Sequence, residues 1–227
     1  AIERHAMNPP KVIYLNAHDM GRYIQPYGYP VPTPNLQRFA EDAVVFRNCH
    51  CMGPTCSPSR AAMLTGQSPH NSGMLGLAHR GWSLNDYGQH WLHALHAAGY
   101  DSHFIGGQHI AMPRAGETGV DAGYRIGYRN VIDAHGPHKW SQAARDLLAG
   151  GPGGPFYLEV GFGECHRLRT SFPPPGPADD PRYCRPPAPL PDDPRTREEF
   201  AGYCHLAREY DHYIGKILGA LDARRGD

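Results

Sequence analysis

Lys11-Val12-Ile13-Tyr14-Leu15-Asn16 is a short apolar, β-prone run that ends at the polar cluster Ala17-His18-Asp19-Met20-Gly21. That pattern predicts a buried strand whose C-terminal end delivers polar side chains into a loop. Working outward, Thr33-Pro34 predicts a helix through about Glu41, with proline near its first position, and residues 43–48 read as a second strand-like run. A helix is expected around 89–98, a strand at 102–105, a helix at 141–149 and a strand at 155–161. From about 197 to 224, Leu206, Tyr210, Tyr213, Ile214, Ile217, Leu218 and Leu221 recur at helical spacing. Strands alternating with helices predict an α/β fold, with a mostly parallel central sheet flanked by helices on both faces. In such folds the chemistry collects at C-terminal strand ends, where His18 and Asp19, residues 106–109 and residues 163–166 fall.

The chain has 227 residues, enough to bury a core, and its 22 basic and 22 acidic residues cancel. The balance argues against a nucleic-acid partner. No run approaches the ~20 apolar residues of a membrane helix, and residues 1–10 carry no apolar signal region. A cytoplasmic protein is the default expectation, or a periplasmic or secreted one already trimmed. Six cysteines (49, 51, 56, 165, 184 and 204) are too scattered for a disulfide scaffold. Cys49-His50-Cys51 has no second ligand pair at zinc-site spacing. Ten prolines between Pro173 and Pro194 predict an irregular excursion at about 168–196, either a plain long loop or the wall of a substrate cleft.

The strongest local signal is Cys56-Ser57-Pro58-Ser59-Arg60, followed by Leu64-Thr65-Gly66. Pro58 is expected to open a helix and Thr65-Gly66 to end it, which sets Cys56 just before the first turn. There, free backbone N–H groups and the helix dipole favour an anion. Arg60 lies about one turn on and can point back to the same spot. Taken alone, Cys56 would be a small buried apolar residue and Arg60 a surface cation. Together they suit attack on a sulfate or phosphate group.

This segment resembles the sulfatase signature at every fixed position, and in that family the cysteine is oxidised after synthesis to formylglycine. Thr33-Pro-Asn-Leu36, Val45-Phe-Arg-Asn48, Ser68-Pro-His70, Gly73-Met-Leu-Gly76, Ala98-Gly-Tyr100, Ile105-Gly106, Tyr210-Asp211 and Gly215-Lys-Ile-Leu218 extend the likeness over essentially the whole chain. Phe46-Arg-Asn-Cys49, His70 to Leu77 and Phe162 to Arg167 look most similar to heparan N-sulfatase (sulfamidase) and its bacterial relatives.

The resemblance implies the N-terminal part of an alkaline phosphatase-like catalytic domain over 1–227. It also implies hydrolysis of a sulfate ester or sulfamate, on a saccharide or other small molecule. The formylglycine is hydrated to a diol; one hydroxyl attacks sulfur and the second helps expel sulfate. A divalent cation, in this family usually calcium and otherwise magnesium or another ion, offsets the developing charge, and histidines supply acid and base. Residue by residue, Cys56, Arg60, His109 and His166 carry over as catalytic, and Asp19, His18 and Cys56 as metal ligands. A formylglycine-generating enzyme is the implied maturation partner.

Three positions depart from the pattern. His18 stands where an aspartate is usual, Gly107 where a lysine is, and Gly163 where a histidine often is. Sulfatases are also about twice as long, and Arg224-Arg-Gly-Asp227 precedes the strand that carries the family's second pair of metal ligands. A missing C-terminal half or a partner chain is therefore expected. A phosphodiesterase or phosphonate hydrolase of the same superfamily, and a non-catalytic relative that keeps the fold, remain alternatives.

Overall fold

The structure is a computed structural model that describes residues 9–167 and 170–223. In chain order its elements are β1 (Val12–Asn16), α1 (Pro34–Glu41), α2 (Cys56–Thr65), α3 (Pro69–Ser72), α4 (Leu92–Ala97), β2 (Asp101–Gly106), α5 (Gly119–Ile126), β3 (Asn130–Ile132), α6 (Pro137–Gly150), β4 (Phe156–Gly161) and α7 (Pro194–Asp222). None of the described helices is long and apolar enough to cross a membrane. The chain divides into two compact units. One joins the described residues up to Asn16 to His50–Gly161, and the other joins Ala17–Cys49 to the described residues from Phe162 onward.

The first unit is an α/β layer. Its strands pair in the order β1-β4-β2-β3, all parallel, with Val12 opposite Tyr157 and Asp101 opposite Phe156. β4 is flanked on both sides and every residue of it is buried, which explains why it is apolar apart from Glu159. α4, α5 and α6 pack against the sheet. Leu64, Met74, Leu92, Phe104, Ile110, Ile126 and Tyr157 form one core, each at most 2 % exposed. At the C-terminal ends of β2 and β4 the backbones nearly touch: a Cβ on Gly106 would lie 2.3 Å from the carbonyl of Gly161. Only glycine fits there, and Gly106 also takes a φ of +93°.

The second unit is built on α7, whose apolar stripe packs against α1. Thr33 precedes α1 as expected, but its hydroxyl accepts from the Gln25 N–H instead of capping the helix. The cap comes from α7: the buried carboxylate of Asp211 accepts from the N–H groups of Asn35 (3.2 Å) and Leu36 (2.8 Å). Phe162 lies nearly parallel to Tyr213 and edge-on to Tyr210.

Three expectations need correction. Residues 43–48 form no strand; Val44 and Phe46 are 78 % and 68 % exposed, so an apolar run without a sheet partner stays irregular. α2 begins at Cys56, two residues before Pro58, because an N–H missing in the first turn costs the helix nothing. α7 begins at Pro194, where Asp193 caps it by accepting from the Thr196 N–H at 2.8 Å. Residues 170–193 contain neither helix nor strand, in keeping with their prolines; residues 168, 169 and 224–227 lie outside the described chain.

Candidate functional site

In the sheet unit, Cys56 is the first residue of α2, partly exposed, with Thr55 extended before it. Its side chain therefore starts from the turn where backbone N–H groups lack helical partners. Ser57 is buried and makes two bonds. Its hydroxyl donates to the His109 carbonyl at 2.6 Å and accepts from the Ala78 N–H at 3.0 Å. One hydroxyl thus ties α2 to two loops.

Arg60 is 8 % exposed and donates from Nη1 to Asn16 Oδ1 at 2.6 Å, at the C-terminal end of β1. Behind it lies Glu159 of β4, wholly buried. One oxygen of Glu159 accepts from the hydroxyls of Tyr128 (2.5 Å) and Tyr157 (2.6 Å), and the other from Asn16 Nδ2 at 3.4 Å. Burial pushes the Glu159 carboxyl up, against the opposing pull of those hydroxyls, Arg60 and Asn16. The same environment, burial first and the Glu159 charge second, pushes Tyr14 up to about 12. Arg60 is thus a buried cation anchored in a polar network, not a surface charge. Glu159 was missed by sequence reasoning, although a carboxylate inside Phe156-Tyr-Leu-Glu-Val160 was the available signal.

His109 follows β2 with a φ of +55°. Gln108 shapes that loop, its Oε1 accepting from Ile110 N–H (2.6 Å) and Ala111 N–H (2.8 Å). His109 Nε2 lies 3.0 Å from Nδ1 of His79, a residue that no pattern in the sequence singled out. Gly107 is not required by packing: a Cβ there would meet only the Gly161 carbonyl, at 3.9 Å.

In the second unit, His18 and residues 164–165 are bound backbone to backbone, His18 N–H to the Glu164 carbonyl (2.8 Å) and Cys165 N–H to the His18 carbonyl (2.6 Å). This pairing brings the His18 and His166 rings together edge to face, with centroids 5.5 Å apart. His166 Nε2 is 3.7 Å from Asp19 Oδ2. The Nδ1 of His166 lies 2.6 Å from its neighbour's carbonyl, that of Arg167, an atom that only accepts. Nδ1 therefore carries the proton, and a neutral ring turns the Nε2 lone pair toward the carboxylate. Asp19 has a φ of +49°; it and His109 are the only non-glycine residues with positive φ among the described residues. Tyr203 of α7 donates to the carbonyls of Met20 (2.7 Å) and Tyr23 (3.0 Å), fastening the loop after Asp19.

Asp19 also lines a cavity of about 370 Å³, with Tyr23, Phe172, Phe200 and Tyr203 as its aromatic walls and Arg167 beside them. Arg167 pairs with Glu199 at 2.5 Å and lies over the Phe172 ring. Phe172, Pro187 and Leu190 of the proline-rich excursion form part of the lining. A separate group, Asp179, Cys184 and Cys204, has ligand atoms within 4.8 Å of one another. Arg208 already bonds both oxygens of Asp179, and burial pushes both thiols up, so its charge is satisfied without an added cation.

The sulfatase family model matches residues 10–227. The ulvan-active sulfatase of Formosa agariphila is 40% identical over 65 residues, which are 28% of this chain and 11% of that protein. Human N-acetylgalactosamine-6-sulfatase is 44% identical over 70 residues, 30% of this chain and 13% of its own length. Among solved structures, the yidJ protein of Bacteroides fragilis superposes with a TM-score of 0.76 at 21% identity, over 95% of this chain and 59% of that one. The chain thus spans well under two thirds of the proteins it matches. The chain belongs to the sulfatase family.

Proposed function

We propose that this chain is the nucleophile-bearing part of a hydrolase for a sulfate ester or sulfamate on a sugar, working through a formylglycine made from Cys56 by a formylglycine-generating enzyme. The observation that carries the reading is the complete Cys56–Gly66 motif at the start of α2, with Ser57 fastened to the His109 loop. Two relatives are named for N-acetylgalactosamine and for ulvan, which supports a saccharide substrate.

The formylglycine would supply the attacking oxygen. Around it, the first-turn N–H groups of α2 stabilise a sulfate oxygen. Arg60, held in place by Asn16 and Glu159, adds a fixed positive charge without reorganising. His109 is proposed to exchange protons with the attacking and leaving oxygens, and His166 is a second candidate acid or base on the resemblance alone.

On the resemblance, Asp19 and His18, and Cys56 after its conversion, are the proposed metal ligands. Calcium takes oxygen ligands, and here one carboxylate is accompanied by the imidazoles of His18 and His166. That donor set fits calcium poorly and suits a borderline divalent ion better. No step of the reaction is assigned to the ion.

The test is the mass of the Cys56 peptide from protein made in its native host, with parallel assays on an aryl sulfate and an aryl phosphodiester. Formylglycine and preferential sulfate release are expected. An unmodified cysteine with no turnover would turn the assignment toward a non-catalytic relative, and faster phosphodiester cleavage toward a phosphodiesterase.

A further inference from the structure

We infer that His79 and His109 form a proton-relay dyad, in which His79 positions His109 and carries its proton to solvent. The inference rests on the sulfatase reading for the reaction that would use the relay; the dyad itself is a feature of the sheet unit alone.

The ring geometry comes first. The planes of His79 and His109 are parallel within 9°, and their centroids are 5.2 Å apart. Nδ1 of His79 lies 3.0 Å from Nε2 of His109. Faces in contact would be separated by ~3.5–4.0 Å, more than the distance between these nitrogens. The rings therefore meet edge to edge in nearly one plane. In that arrangement an N–H on one ring points along the lone pair of the other.

Such a contact holds one proton. With both rings neutral there are two arrangements. In the first, His109 Nε2 carries the shared proton, leaving His109 Nδ1 bare and His79 Nε2 protonated. In the second, His79 Nδ1 carries it, leaving His109 Nδ1 protonated and His79 Nε2 bare. Each arrangement is a base at one outer nitrogen and an acid at the other. A proton accepted at His109 Nδ1 lets the shared proton pass to His79 Nδ1, and a proton then leaves from His79 Nε2. One proton enters, one leaves, and the two tautomers exchange; the reverse sequence resets the pair. Protonating both rings fully would set N–H against N–H at 3.0 Å, so the dyad handles protons singly.

The setting suits this role. His109 is half-buried and His79 exposed, so the path runs from inside to solvent. Both loops are held by the same hydroxyl, Ser57 Oγ, which accepts from Ala78 N–H and donates to the His109 carbonyl. Ser57 directly follows Cys56. The relay is thus fixed to the helix that bears the proposed nucleophile.

The test combines a spectroscopic and a kinetic arm. In ¹⁵N-histidine-labelled protein, a through-hydrogen-bond nitrogen–nitrogen coupling is expected between His79 Nδ1 and His109 Nε2. Its absence, with two independent ring tautomers, would overturn the dyad whatever the protein's activity. In the second arm, His79→Leu and His79→Asn are compared on an aryl sulfate. Asn can keep a hydrogen bond to His109 but cannot pass a proton. Both variants are expected to lower kcat by about 10²-fold with KM unchanged, the usual scale of a lost proton-transfer group. Full rescue by Asn would reduce His79 to a structural prop, and a raised KM with intact kcat would make it a substrate ligand; either result overturns the relay. If the wild-type protein turns over no sulfate, the sulfatase reading fails, and the coupling alone decides whether the dyad exists.

Discussion

The hydroxyl of Ser57 donates to the carbonyl of His109 at 2.6 Å, across 52 positions of sequence. This bond makes the residue after Cys56 the anchor of a loop that follows β2. Ser57→Ala should leave the His109 carbonyl and the Ala78 N–H without this partner, at a cost of about 1–3 kcal/mol. Urea unfolding measures the loss. Turnover of an aryl sulfate should fall further than that stability loss explains, because the His109 loop is released.

His90 is 1 % exposed; its Nδ1 accepts from the Leu92 N–H, and its Nε2 is buried without a partner. Burial, with His93 and His96 adding to it, lowers its pKa to about 3. The unfolded ring binds protons more readily than the folded one. The stabilisation is therefore complete above about pH 6.5 and is lost as pH falls from there toward 3. Unfolding free energy should drop by ~2 kcal/mol between pH 7 and 5 from this residue. His90→Asn, which keeps an acceptor for Leu92, should flatten that part of the profile; an unchanged slope would show that His90 is not its source.

Glu159 holds two tyrosine hydroxyls and, through Asn16, the Arg60 side chain. Glu159→Leu removes the acceptor of two buried tyrosine hydroxyls and of the Asn16 amide, so a loss of about 1–3 kcal/mol for each group left unpaired is expected. Glu159→Gln retains an oxygen and should cost less. Equal losses from the two substitutions would argue that packing, not the polar network, sets the stability of the site.

Asp19→Asn removes the negative charge beside His166. Divalent metal per chain, measured by mass spectrometry of the dialysed protein, should fall several-fold. Unchanged content would take Asp19 out of the metal site.

Position 107 has room for a Cβ, which would meet nothing closer than the Gly161 carbonyl at 3.9 Å. Gly107→Lys should fold with a Tm close to that of the parent. A large drop would mean that the glycine is structural after all.

Much of this was readable beforehand, for physical reasons. β1, β2 and β4 announce themselves as apolar runs of strand length, and α7 as a long helical stripe. The run at 43–48 has the same composition, but a strand exists only with a neighbour to pair with, and composition does not supply one. β3 is three residues long, too short for a period. α5 was signalled by Thr118 and Asp121, which form a capping box, and could have been found. Among the candidate residues, spacing singles out Cys56 and Arg60, and a place after a strand singles out Asp19, His109 and His166. The positive φ of Asp19 and His109 was not legible, because those angles are imposed by the surrounding loops. His79 was invisible for a similar reason: it meets His109 through folded loops 30 positions apart.

The cap that Asp211 places on α1 has a consequence for the order in which the protein is made. Asn35 and its carboxylate partner are 176 residues apart. A chain leaving the ribosome N-terminus first exposes α1 long before α7 exists. Until then the first turn of α1 has only water for its N–H groups, and Ala17–Cys49 lacks most of its own compact unit. The sheet unit, whose strands all precede residue 162, can close earlier. Synthesis therefore presents α2 with β1 to β4 already made, while the segment bearing His18 and Asp19 still waits for its partner.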